Sequence, residues 1–268
     1  MNEKMETDVI IVGAGFIDNL NRKIMKKVLI TGANKSIGFE TARQLLQKGY
    51  YIYLGSRNLK NGLEAVEKLK AEGLNEVEAV QLDVSDDESV KAARAEIGKK
   101  TEVLDVLINN AGINGGLTQT ALGTDIAVFK QVFDTNVFGV VKVTQAFIDL
   151  LQKSPQPRIV NVTSGLASLT LHNDPTWKYY NVKAAVYNSS KAALNMYTIA
   201  LAYELRDTQF KVNVVDPGYT ATDFNQHSGP GTVEDAAARL VKYATIDDGP
   251  TGKFFSDDNS PETGESPW

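Results

Sequence analysis

From Lys26 onward the chain alternates short apolar runs with longer stretches of helical apolar spacing, and this alternation leaves few architectures open. The strand-like runs are Val28–Thr31, Tyr51–Leu54, Val77–Gln81, Val106–Asn109, Arg158–Val162 and Lys211–Val215, with a weaker one at Lys253–Phe255. Helical patterns fall between and after them, at Ile37–Lys48, Leu59–Glu72, Asp86–Ile97, Ala127–Gln152, Tyr187–Arg206 and Val233–Ala244. Apolar strands joined by crossover helices predict an α/β domain. Its sheet would be mostly parallel and seven-stranded, doubly wound, with helices on both faces. Ligands of such a sheet bind beyond the carboxyl ends of the strands.

Composition removes several function classes. The net charge of −5 gives no broad attraction to nucleic acid or anionic membrane. Without cysteine there is no disulfide, thiolate metal site or cysteine nucleophile. The two histidines, His172 and His227, stand in no metal-ligand spacing, so no metal is expected. No apolar run approaches the ~18 residues that span a bilayer, and a cytoplasmic protein is expected.

Two segments carry glycines after an apolar strand. The first, "DVIIVGAGFID" from Asp8 to Asp18, sets a carboxylate at the third glycine position. It also leaves only Asn19–Met25 before the next strand, too little for a crossover helix. Residues 1–25 therefore read as an appended, poorly ordered extension and 26–255 as the domain. The polar tail 256–268 is expected to wrap the surface or fray. The second segment, "KKVLITGANKSIGFETARQLLQKG", passes both tests. Gly32 and Gly38 bracket a turn running into a helix, whose N-terminal amides form an anion site.

The residues at and beyond the strand ends are more specific than either glycine motif. In order these are "TGANKSIG", "GSRN" with Arg57, "LDVSD" with Asp83, "NNAG" from Asn109, "NVFG" with Asn136, "NVTSG" with Ser164, and "DPGYTATD" with Pro217 and Thr222. This ordered set resembles the classical branch of the short-chain dehydrogenase/reductase family, in particular its carbonyl-reductase-like members, over about Lys26 to Phe255. The resemblance implies a Rossmann-type catalytic domain. Ser36 stands where that branch has its middle glycine, and serine adopts positive φ at greater cost.

The pattern Tyr-x-x-x-Lys occurs twice, as Tyr179/Lys183 and as Tyr187/Lys191. Either pair on a helix places a phenol and an ammonium one turn apart. Tyr187 opens the long helical stretch that feeds the sixth strand, whereas starting from Tyr179 would lift the phenol roughly 12 Å away at ~1.5 Å per residue. The resemblance then implies four catalytic residues. Tyr187 gives a proton to a substrate carbonyl, Lys191 lowers its pKa and holds the ribose, Ser164 donates to the same oxygen, and Asn136 anchors a relay water. It further implies a cofactor surface of Gly32, Asn34, Lys35, Ser36, Ile37, Gly38, Arg57, Asp83, Val84, Asn110, Ala111, Gly112, Tyr187, Lys191, Pro217, Gly218, Thr220 and Thr222. Asn109 would line the same face.

No acid comes after the second strand, where an NAD site usually has one, and Arg57 and Lys35 offer cations for a 2′-phosphate. NADP(H) is the expected cofactor. The expected activity is NADPH-dependent reduction of a ketone or aldehyde; the alternative is a non-catalytic NADP(H)-binding redox sensor. Asp83 reads either as an adenine contact or as the cap of the next helix. Aromatics at Trp177, Tyr179, Tyr180, Tyr219 and Phe224 either line a lipophilic pocket or pack against the fold. A homo-oligomer, dimer or tetramer, stays open, because the segment preceding Tyr187 can cover the surface through which family members pair.

Overall fold

In a computed structural model, which describes residues 25–116 and 118–268, every strand pairing is parallel. The glycine motif at Asp8–Asp18 and nearly all of the expected extension lie outside the described residues. The strands are β1 (Lys27–Ile30), β2 (Tyr51–Ser56), β3 (Val77–Gln81), β4 (Val106–Asn109), β5 (Arg158–Val162), β6 (Lys211–Val215) and β7 (Phe254–Phe255). They form one sheet in the order β3-β2-β1-β4-β5-β6-β7. The order reverses between β1 and β4, and a crevice opens at that switch point.

Two apolar layers explain the sequence periodicities. Successive strand residues point to opposite faces, so Val28 and Ile30 join one layer while Leu29 joins the other. The first layer receives α1 (Ser36–Gln47), α2 (Leu59–Ala71) and α8 (Val233–Thr245) through residues such as Leu45, Leu69 and Leu240. The second receives α3 (Asp87–Lys100), α5 (Gly139–Leu151) and α7 (Ala185–Glu204) through Ile97, Phe147 and Ala202.

Three departures from the expected elements bear on the site. The helix expected over Ala127–Gln152 is α4 (Ile126–Phe133) and α5 joined by a π turn, Asp134–Phe138. Such a turn accommodates an extra residue and re-aims the side chains it carries. The segment between β5 and α7 holds a 3₁₀ turn, Gly165–Ala167, and a short α6 (Leu169–His172).

The tail wraps rather than frays. Ser256 N donates to Gly264 O at 2.9 Å and Ser266 N to Phe254 O at 2.8 Å. The Trp268 ring lies 5.6 Å from that of Phe254, and Thr170 N donates to Trp268 O at 2.9 Å. Among the described residues no helix is long and apolar enough to cross a membrane, and no group of His, Asp and Glu has a metal-binding arrangement.

Candidate active site

The glycine turn after β1 is held from β4. Thr31 Oγ1 accepts from Asn110 N and Ala111 N at 3.0 and 2.9 Å, and Asn110 Nδ2 donates to Thr31 O and Gly32 O at 2.9 and 3.1 Å. The backbone is packed close here. A Cβ on Gly38 would meet Asn110 Nδ2 at 2.5 Å and Gly32 O at 2.8 Å, while Gly32 itself has φ +63°. No side chain caps α1, whose capping residue is Lys35. An uncapped helix start beside a glycine cradle fits a phosphate group.

Ser36 occupies the left-handed region at φ +52°, the conformation in which serine replaces glycine at a cost. Ser36→Gly is expected to stabilise the protein by about 1 kcal/mol. A urea midpoint measurement checks this, and an unchanged or lowered midpoint speaks against strain at the turn.

The other cofactor-side residues divide by position. Arg57, exposed at the end of β2, lines a groove with Asp83 and Ser89, and among the described residues it has no ion-pair partner. Asp83 Oδ1 accepts from Ser85 N at 3.0 Å and Ser85 Oγ at 2.7 Å, and α3 is capped instead by Asp86. Val84 is buried against Gly139, where a Cβ would approach it to 2.8 Å. Ile37 packs on the first layer and Asn34 is half-buried in the turn. Asn109 turns away from the crevice into the core, donating to Asn161 Oδ1 at 2.8 Å.

Lys35 reaches across the crevice. Its Nζ pairs with Asp223 at 2.9 Å, in the loop after β6. That loop begins at Pro217 and Gly218 (φ +82°), with Arg239 Nη1 donating to Pro217 O at 2.6 Å. Thr220 and Thr222 are buried within it. Thr220 donates to Gly218 O at 3.2 Å, and Thr222 forms a capping box with Asn225.

The four residues expected to be catalytic converge where β4, β5 and α7 meet. Asn136, wholly buried on the π turn, accepts from Ile113 N at 2.9 Å and donates to Ile113 O at 2.8 Å and Ser190 Oγ at 3.0 Å. Lys191 Nζ donates to Val162 O at 2.8 Å and lies 5.9 Å from the centre of the Tyr187 ring. A Cβ on Gly112 would sit 3.3 Å from Asn136 Oδ1 and 3.6 Å from Lys191 Nζ, which fixes how closely these groups crowd. Ser164, two residues beyond β5, caps the 3₁₀ turn, accepting from Leu166 N at 3.2 Å, and its hydroxyl faces the Tyr187 phenol.

Burial controls the electrostatics. In place of the lowering by Lys191 that the resemblance implies, it holds the Tyr187 phenol above the ordinary tyrosine value of 10.0, against the pull of Ser164 toward ionisation and with Asp216 adding to the rise. Burial likewise takes Lys191 down to about 8, while Asp216 opposes the fall.

Tyr179 and Lys183 do not form a second site of this kind. The Tyr179 hydroxyl donates to Asp258 at 2.7 Å, and Lys183 donates to His172 O at 2.8 Å. Both precede α7, whose first turn carries Tyr187.

Two further residues shape the site without having been singled out in the sequence. Asp216, 4% exposed, accepts from Gly218 N at 2.9 Å and Ser256 Oγ at 2.6 Å, and Gly165 N also faces it. Asn259, from the tail, donates to Gly165 O at 3.1 Å. Together they tie the ends of β5 and β6 to the C-terminal segment. Asp216 lies in the quoted "DPG" run, a visible signal, whereas nothing local marks Asn259. Phe224 stands with its ring 5.6 Å from that of Tyr187, in an edge arrangement.

The family model described as short chain dehydrogenase matches residues 26–232. The chain is 34% identical to (-)-isopiperitenone reductase of Mentha piperita, covering 89% of this chain and 98% of that protein. Among solved structures, salutaridine reductase from Papaver somniferum superposes with a TM-score of 0.75 at 31% identity, covering 87% of this chain and 99% of the other. The NADPH-bound carbonyl reductase from chicken fatty liver gives 0.78 at 26% identity, over 91% and 99%. Sheet order, glycine turn and these matches agree: the chain belongs to the short-chain dehydrogenase/reductase family of oxidoreductases.

Proposed function

We propose that the chain reduces a ketone or aldehyde to an alcohol with NADPH, Tyr187 giving the proton. The observation that carries this reading is the crowding of Tyr187, Ser164, Lys191 and Asn136 at the strand ends beside the glycine turn. When bound, NADPH supplies the hydride, and the protein supplies position and charge stabilisation. Gly32, Ser36 and Gly38 with the start of α1 would hold its pyrophosphate, Arg57 and Lys35 its 2′-phosphate, and Lys191 its ribose. Ser164 and Tyr187 aim two donors at the oxygen on which charge develops. Because burial keeps the phenol protonated through neutral pH, it is loaded as an acid before substrate arrives.

The aromatic set supports a lipophilic substrate. Tyr187 and Phe224 meet edge to face, and Tyr219, Tyr179, Trp177 and His172 form a second set with successive centroid spacings of 6.3, 5.5 and 5.0 Å. The names of the relatives, an isopiperitenone reductase and a salutaridine reductase, support the same reading. NADPH oxidation against a panel of cyclic ketones, aldehydes and quinones tests it, and turnover of the bulkier apolar carbonyls is expected. Consumption with none of them counts against it.

Cofactor choice has its own test. Arg57→Ala is expected to raise KM for NADPH about tenfold or more, since a charge-assisted bond to phosphate is worth roughly 1.5–3 kcal/mol. KM for NADH should stay the same. Parallel loss with both cofactors would remove Arg57 from phosphate recognition.

A further inference from the structure

The helix that carries Tyr187 begins without a cap of its own. Ala184 stands at the capping position and offers no side-chain bond, so the first amides of α7 need another partner. They find it in a loop 68 residues earlier in the chain. Gln119 Oε1 accepts from Val186 N at 3.0 Å and from Tyr187 N at 2.8 Å. Its Nε2 donates to Asn114 O and to Gly116 O, the latter at 2.8 Å. The side chain is 6% exposed, and two donors and two lone pairs are all used.

We propose that Gln119 is a positioning residue for the reduction, fixing the backbone of Tyr187 and so the place of its hydroxyl. The inference rests on the reading of Tyr187 as proton donor. A first helical turn with unmet amides frays, and Tyr187 lies in that turn. Its side chain must reach Ser164 from there, and a displacement of about 1 Å at a reacting group can cost on the order of 10²-fold in rate. The carboxamide also joins that turn to the loop whose Asn114 side chain donates to Phe224 O. Gln119 therefore holds in one piece the tyrosine and the aromatic residue facing it.

Two variants separate the contacts. Gln119→Met keeps the length of the side chain and removes every hydrogen bond, whereas Gln119→Glu, as the neutral acid that burial against Asn114 O and Gly116 O demands, keeps the acceptor for Val186 N and Tyr187 N and one donor to those carbonyls. The expected result is a kcat about tenfold or more lower in the methionine variant and within about threefold of wild type in the glutamate variant. Kd for NADPH, from fluorescence titration, should stay within about twofold in both. A merely structural role would lower Tm in both and leave kcat per folded molecule unchanged. That outcome overturns the proposal, as does an equal loss of kcat in the two variants. Should the methionine variant fail to fold, the glutamate variant decides alone: a kcat near wild type supports the acceptor role, and a tenfold loss removes it. Wild-type turnover by Tyr187→Phe would be a separate failure, of the proton-donor reading itself.

Discussion

Tyr187→Phe is expected to lower kcat by roughly 10²- to 10⁴-fold, the range a positioned general acid supplies. The substitution removes one oxygen and leaves the ring. The edge contact with Phe224 at 5.6 Å persists, as does the position of Lys191 Nζ 5.9 Å from the ring centre. The fold should survive, and Kd for NADPH should change by no more than a few-fold, because of the cofactor surface only the Tyr187 hydroxyl is removed while the glycine turn, Arg57 and Lys191 are kept. Loss in kcat with cofactor binding preserved is the signature of an interaction made in the transition state. The direction of the pH effect comes from burial. A phenol held above its ordinary value stays protonated through neutral pH, so reduction in the wild type should persist there and fall only in alkaline solution. Alcohol oxidation, which needs the phenolate, should rise over the same alkaline range. A phenylalanine variant that retains wild-type kcat, or loses NADPH binding and turnover together, would contradict this role.

Lys191→Met is expected to give a dead enzyme that is more stable than wild type at pH 7. Lys191 titrates near 8 instead of 10.5, burial being the main cause and the nearby Asp216 opposing it. Between those values the unfolded chain binds more protons than the native one, so native stability rises with pH across that window. Below it the buried ammonium carries its whole penalty, on the order of 3 kcal/mol at ~1.4 kcal/mol per pKa unit. The bond to Val162 O, at 2.8 Å, is lost in the variant and offsets about 1 kcal/mol of the gain. The net gain is about 2 kcal/mol at pH 7. It should shrink as pH rises through 8 toward 10, where wild-type Lys191 is itself neutral. Urea denaturation of both proteins at pH 7 and pH 10 measures it. A variant less stable than wild type at pH 7 would show that Asp216 and the Val162 carbonyl more than offset the burial of the charge.

Much of the fold was legible because its signals are local. The apolar runs at Val77–Gln81, Val106–Asn109, Arg158–Val162 and Lys211–Val215 are strands with those bounds, and a polar or turn residue stands within two positions of either end of each. The weaker run at Lys253–Phe255 narrows to Phe254 and Phe255, which alone pair with Val214 and Val215. The π turn at Asp134–Phe138 left no trace in the sequence, since its apolar spacing differs from a regular helix by one residue within a continuous pattern. The two Tyr-x-x-x-Lys pairs could be ranked by their distance from the sixth strand, and α7 does begin two residues before Tyr187.

What the sequence withheld is long-range polar contact. Lys35 reads as a cation beside the glycine turn, yet it also pairs with Asp223, and no local pattern announces a partner 188 residues away. Gln119 and Asn259 are ordinary loop residues until the fold brings one to the start of α7 and the other to Gly165. The tail reads as polar and loose because its binding partners, Phe254 and Asp216, belong to other elements.

The most direct measurement tracks the hydride. The enzyme is incubated with NADPH deuterated at the transferable position and a cyclic ketone, and the product alcohol is examined by mass spectrometry and NMR. One deuterium on the carbinol carbon is predicted for wild type, and no labelled alcohol above background for Tyr187→Phe at equal cofactor occupancy. Saturating NADPH binding by wild type with no deuterium reaching any carbonyl in the panel would contradict the proposed reduction, and would leave a nucleotide-binding protein without turnover.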